Sequence, residues 1–197
     1  MEPVTWVAAS WASGLNAYLT VLILGVSGRL DWIDAPRTIE KPWVLAVAGV
    51  MFAVEFFADK VPLVDSAWDL AHSFVRPLIG GWLGMAFASA ELGRVPAFAA
   101  AAGLALVGHL TKSSTRLAIN LSPEPVTNVI ASFAEDGIVG ALVALAMADP
   151  RVAAIVAVVL AVIGIVLVLL IWRFVRRGWR RLTRWWTAPE RAHGTPA

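Results

Sequence analysis

The chain contains no cysteine, which excludes disulfide staples and thiolate metal sites. Charge is scarce as well: 15% of residues are Asp, Glu, Lys or Arg, where soluble domains carry about a quarter. No long hydrophilic insertion separates the apolar runs, so a second, soluble domain has nowhere to fold. The three histidines are scattered and lack the spacing of a metal site, and nothing in the sequence calls for a cofactor. The amino terminus offers no basic region ahead of its first apolar run, and that run outlasts a signal-peptide core. Trp6 to Val26 therefore reads as a retained first span.

Apolar residues are abundant. They make up 59% of the chain, and the mean hydropathy is +0.74, so the fold class is all-α: a polytopic transmembrane helix bundle. A spanning helix needs about 20 residues, and six runs compete for that role, at 6–27, 43–58, 77–92, 96–111, 130–148 and 152–172. The third and fifth reach full length only by starting upstream, near Ser66 and Pro125. Basic residues mark the cytoplasmic side, and Arg173, Arg176, Arg177, Arg180, Arg181, Arg184 and Arg191 follow the last run. Six crossings then place both termini in the cytoplasm, with Lys60, Arg76, Lys112 and Arg116 on that side and Arg29, Arg37, Lys41, Arg94 and Arg151 on the other. The expectation is a bundle over residues 1–174 and a basic, aromatic cytoplasmic tail over 175–197. The tail suits an anionic lipid surface, and disorder is expected from Ala188 onward.

Two polar stretches, DKVPLVDSAWDLAHSFVR from Asp59 and KSSTRLAINLSPEPVTNVIASFAED from Lys112, stand between the short apolar runs. Residues three, four and seven apart share one helix face. By that spacing Glu55 and Asp59 form one stripe, Asp69, His72 and Arg76 a second, His109, Lys112 and Arg116 a third, and Asn128, Ser132 and Glu135 a fourth. Because a charge facing lipid costs about 3 kcal/mol or more at the bilayer centre, the stripes should face one another or water, in a polar cleft between the four central helices. Asn16, Asp65, Asn120, Glu124 and Asp136 complete the candidate ion- or solute-binding set; no catalytic residue is proposed. Pairs such as Arg76 with Glu135, or Asp59 with Lys112 or Arg116, are equally readable as structural ion pairs, and Asp65 and Glu124 as solvated carboxylates or helix-start partners.

Three further features leave alternatives open. SWASGLNAY in the first run is either a small-residue packing face or a stretch whose Asn16 and Tyr18 line the cleft. NLSPEPVTN is either a broken segment at membrane depth or a plain cytoplasmic turn, while the loop holding Gly28, Asp31, Asp34 and Pro36 reads as an ordinary exterior loop. A weak internal two-span repeat (43–92 and 97–147) pairs Asp65 with Glu124, Asp69 with Asn128, Ser73 with Ser132, Arg76 with Glu135 and, after a gap, Glu55 with His109, with kinked or broken helices marked by Pro62, Pro77, Pro123 and Pro125.

SGLNAY, FADKVPLVDSAWDLAHSFVRP and HLTKSSTRLAINLSPEPVTN followed by AED resemble a bacterial family of multi-pass membrane proteins catalogued as domain of unknown function 4126. The resemblance covers the chain except its basic tail. It implies a bacterial integral membrane protein and supplies no activity. Functionally, the charged faces point first to a transporter or channel for an ion or small polar solute, then to a flippase or scramblase for a lipid with a charged head group, then to a membrane-embedded enzyme or a structural role. Expected partners are membrane lipids and the small ion, polar solute or lipid head group, with no nucleic acid; self-association into a homo-oligomer is compatible with the composition.

Overall fold

The computed structural model describes residues 4–88, 92–120 and 125–186, with side chains for all of these except 62, 63, 125 and 181–186. Among the described residues the chain is all helix: α1 (Thr5–Leu15), α2 (Ala17–Arg29), α3 (Pro42–Ala58), α4 (Pro62–Phe87), α5 (Arg94–Asn120), α6 (Pro125–Ala148) and α7 (Pro150–Trp186). α3, α4, α6 and α7 each open on a proline, whose fixed φ suits a first helical position and whose missing N–H would have no partner there. Asp149 caps α7, its Oδ1 accepting from the backbone N–H groups of Arg151 (3.2 Å) and Val152 (3.1 Å).

α1 is the centre of the bundle, packed against α4, α5, α6 and α7, and every residue from Ala8 to Leu15 is buried. Apart from Trp11 and Leu15, every residue of that stretch is Ala, Ser or Gly, which lets neighbouring helices approach closely. A Cβ added at Gly14 would strike the backbone carbonyl of Ala105, and one at Gly108 would meet the carbonyl oxygen of Trp11 at 2.5 Å. α5 answers with Ala97, Ala101, Ala105 and Gly108, buried at intervals of one helical turn. The packing reading of SWASGL is therefore the one observed.

The first run is not one helix. Asn16 has extended backbone angles (φ −145°, ψ 99°), ending α1 and starting α2. Its N–H donates to the Ala12 carbonyl (3.0 Å), its Oδ1 accepts from the Leu19 N–H (2.9 Å) as the cap of α2, and its Nδ2 donates to Asp136 Oδ1 on α6 (3.0 Å). A residue that can serve both helix ends and a distant carboxylate outweighs the continuous apolar pattern. The loop after α2 also departs from expectation, since Ala35 and Ile39 are buried and the Ile39 carbonyl packs against Gly25. It folds back onto the bundle.

α4 starts at Pro62, four residues before the expected Ser66; α6 starts at Pro125 as expected; α5 runs to Asn120; and α7 continues through the basic segment to Trp186, about 55 Å in all. The tail thus begins as helix, whereas the disorder expected from Ala188 lies outside the described residues. Residues 121–124 of NLSPEPVTN do too.

Polarity runs inside out. Arg76, Arg116, His109 and Glu55 are among the largest fully buried side chains, while Leu70 (75%), Phe74 (79%) and Leu78 (60%) stand exposed along the outer face of α4. Among the described residues three helices are long and apolar enough to cross a membrane: α5, Val126–Ala148 of α6 and Pro150–Arg180 of α7; α2 and α3 are shorter apolar helices. These make the chain a membrane protein.

The close α1–α5 crossing gives a test. Gly14→Ala should destabilise the purified protein by roughly 1–3 kcal/mol, the usual cost of overpacking, read as a lower melting temperature in detergent. Gly103→Ala, whose Cβ would meet nothing within 4 Å, should leave the melting temperature at or above the wild-type value.

Candidate functional site

The four expected stripes meet. Three cations from α4 and α5 are enclosed by four carboxylates from α3, α4 and α6. Arg76 Nη2 lies 2.8 Å from Glu55 Oε1, and its Nη1 lies 2.9 Å from Asp69 Oδ1. Lys112 Nζ bridges Glu55 Oε1 (3.1 Å) and Asp59 Oδ2 (2.5 Å), with Glu135 Oε2 at 3.7 Å. Arg116 grips Glu135 through two parallel bonds, Nε to Oε1 (3.1 Å) and Nη2 to Oε2 (2.7 Å), the geometry that a planar guanidinium favours. Its Nη1 donates to the carbonyls of Asp59 (3.0 Å) and Asn128 (3.1 Å), and Nη2 is 3.7 Å from Asp59 Oδ2.

This arrangement bears on the pairs read from sequence. Asp59 does pair with both Lys112 and Arg116. Arg76, however, pairs with Glu55 and Asp69, and Glu135 with Arg116 and Lys112, so the Arg76–Glu135 pair is replaced. The physical reason is register: Glu55 comes from α3 and Asp69 lies two turns back along α4, on the same face as Arg76, nearer than any α6 carboxylate.

The histidines extend the network, and the donors around them set their tautomers. A guanidinium can only donate, so the 2.8 Å contact from Arg76 Nη1 makes His109 Nδ1 an acceptor, leaving Nε2–H to donate to Ser73 Oγ at 3.1 Å. Ser73 in turn donates to the Asp69 carbonyl (3.1 Å). For His72, the Trp68 carbonyl can only accept, so Nδ1–H donates to it (2.8 Å) and Nε2 accepts from the Tyr18 hydroxyl (2.8 Å). Tyr18, one residue into α2, therefore does reach the polar interior. Lys60 caps the α3–α6 side, donating to the Phe56 carbonyl (2.7 Å) and Ser132 Oγ (3.4 Å) over the Phe56 ring, a cation–π contact.

Two carboxylates are, among the described residues, tethered by asparagine amides. Asp136 Oδ1 accepts from Asn16 Nδ2 (3.0 Å), and Asp65 Oδ2 accepts from Asn120 Nδ2 (3.3 Å); Asn120 Oδ1 accepts from Asn128 Nδ2 (2.9 Å). Asp65 precedes the span expected from Ser66 onward, and burial pushes its carboxyl up to about 6, with Arg116 opposing the rise and Asp69 and Asp59 adding to it. Among the described residues, one oxygen on each of Glu55, Asp59, Asp65, Asp69 and Asp136 has no hydrogen-bond partner. Most of the candidate residues thus join one hydrogen-bonded assembly or its two asparagine-linked ends; His72 stands beside it, bonded to Tyr18 and to the Trp68 carbonyl, and Glu124 lies outside the described residues. Ser73 is not singled out by the stripes; the repeat, which pairs it with Ser132 of the fourth stripe, carries its signal.

A groove of about 440 Å³ between α4, α5 and α7 adjoins this interior. Ser66, Asp69, Ser73, Ser113, Ser114 and Arg116 form its polar side, facing an apolar wall that includes Leu70, Ile171 and Trp172.

The bidentate pair can be tested for its structural weight. Arg116→Met and Glu135→Met should each destabilise the protein by about 3–5 kcal/mol, because each strands a buried charge, whereas the double change should recover more than half of either loss. Thermal unfolding in detergent, followed by helical circular dichroism, reads this directly.

No curated protein and no solved structure matches the chain at a significant level. What does match is a family model spanning the central helix α1, all four charged stripes and most of α7's apolar length, so the buried network lies wholly within the matched segment. With residues 4–170 covered, the chain belongs to the family described as Domain of unknown function (DUF4126).

Proposed function

We propose that this protein moves an ion or a small polar solute across a bacterial cytoplasmic membrane, with the buried network as its binding site. One observation carries the reading: seven charged side chains converge in the interior of a bundle whose outer faces are apolar, and intramembrane ionisable groups mark ion and solute pathways by default. A purely structural network would be expected to balance its charges. Here four carboxylates face three cations, and among the described residues Glu55, Asp59 and Asp69 each keep an oxygen without a hydrogen-bond partner. A solute or ion that supplies positive charge or donors fits that surplus.

In this reading six spans cross, with α1 and α2 sharing the first, and both termini are cytoplasmic. The internal repeat belongs to this reading, and positions that it pairs meet in one network. Glu55 and His109 both bond to Arg76, while Ser73 and Ser132 each bond to a site side chain. The two units are parallel, in contrast to the inverted repeats of many transporters. A flippase for a lipid with a charged head group is the second reading. It is favoured by the α4–α5–α7 groove, which sets serine hydroxyls, Asp69 and Arg116 beside an apolar wall.

Two measurements test this. Single cysteines placed at Asp34 and Ser66 should be labelled by an impermeant reagent from outside and only from inside, respectively; the reverse pattern removes the orientation. Proteoliposomes loaded with dyes for H⁺, Na⁺, K⁺ or Cl⁻ should show flux of at least one of these above empty vesicles, lost in Asp69→Asn. Folded protein that passes none of them but exchanges a labelled phospholipid between leaflets would favour the second reading.

A further inference from the structure

We propose that Asp65 is the proton-binding group at the mouth of the network, taking up one proton from the adjoining aqueous side and relaying the change through Asn120 and Asn128 to Arg116. The inference rests on the transport reading only in making the proton the coupled ion.

Asp65 is 0% exposed. Its Oδ2 has a neutral amide donor, Asn120 Nδ2, and its Oδ1 has no partner among the described residues. Each of the four carboxylates deeper in the network has a cation within ion-pairing distance; the bonds at Asp65 are from an amide alone. A buried carboxylate so weakly supported is costly as an anion, and an oxygen with no accessible surface admits no ligand larger than a proton without rearrangement. Charges of both signs surround it. Burial disfavours ionisation most, Arg116 and Lys112 on α5 favour it, and Asp69 on α4 and Asp59 at the end of α3 disfavour it. Ser66, next in the chain, lines the groove together with Ser113 and Ser114, and its Oγ accepts from Asn120 Nδ2 (3.1 Å), so a hydroxyl at the groove is one bond from the amide that holds Asp65.

The amides make the event legible further in. As drawn, donors point toward Asp65: Asn120 Nδ2 to Asp65, Asn128 Nδ2 to Asn120 Oδ1 (2.9 Å), and Arg116 Nη1 to Asn128 Oδ1 (3.4 Å). Transfer of a proton from hydronium to the carboxylate forms one O–H bond, releases one water and raises the charge of the site by one. The new O–H can donate to Asn120 once its amide turns over. Asn120 then donates to Asn128 Oδ1 and displaces the Arg116 bond there. Arg116 is left to Glu135 and the two backbone carbonyls.

The experiment uses the full-length protein in lipid nanodiscs. Infrared spectra taken from about pH 4 to pH 9 should contain the C=O stretch of a protonated carboxyl that downshifts in D₂O, disappears in Asp65→Asn and titrates above the ordinary aspartate value of about 3.9. Asn120→Ala removes a hydrogen bond that favours the charged form, so it should move that midpoint upward; this carries the test even if Asp65→Asn does not fold. No Asp65-dependent band, or a midpoint that Asn120→Ala leaves in place, overturns the assignment. In proteoliposomes holding a pH dye under a potassium diffusion potential, Asp65→Asn should reduce proton flux at least tenfold. Undiminished flux overturns the proton's role, whereas an intact band with no flux even in the wild type upholds the binding site and fails the transport reading alone.

Discussion

Charge must be kept from hydrocarbon, and that requirement orders this molecule from the inside. Arg76, Lys112 and Arg116 cannot face lipid without a cost of several kcal/mol, so each is turned inward onto carboxylates from neighbouring helices. No single helix could satisfy them. α3 supplies Glu55 and α6 supplies Glu135, which means that the register of three helices against α5 is set by the same few contacts. The apolar residues left over then fall on the outside, as Leu70, Phe74 and Leu78 do on α4.

Such contacts are short only because the helices lie close together. α1 has no charged residue, yet it lets α4 and α5 approach by offering Ser10, Ser13 and Gly14 where larger side chains would hold them apart. Ser10 Oγ donates to the Gly80 carbonyl (3.2 Å), tying α1 to α4 near Pro77. Packing by small residues is the usual source of association in lipid, where burial of apolar surface supplies little. Here it also sets the width of the polar interior, so the network and the small-residue seam are two aspects of one design.

Much of this is legible in the sequence because the physics is periodic. Asp69, His72 and Arg76, or His109, Lys112 and Arg116, announce one face by spacing alone, and the need to hide that face brings four such stripes together. Partner identity is a different matter. Which carboxylate meets Arg76 depends on the relative height of α3 and α6 beside α4, a tertiary quantity with no local signature, and so Glu135 was the wrong choice. The break at Asn16 was hidden for a related reason: the apolar pattern runs straight through it, and the compensating partner, Asp136, stands 120 residues away. The backbone carbonyls that Arg116 uses, from Asp59 and Asn128, are invisible to any reading of side chains.

That same separation has a consequence for how the protein is made. At roughly 5–20 residues per second, the ribosome adds the 120 residues between Asn16 and Asp136 in about 6 to 24 s. Throughout that interval the α1–α2 pair carries a bent backbone and a side-chain amide with no carboxylate to receive it, although in the finished bundle α1 is the central helix. It must wait beside the insertion machinery or another polar host instead of dispersing into lipid. The last helices to emerge are thus the ones that release the first.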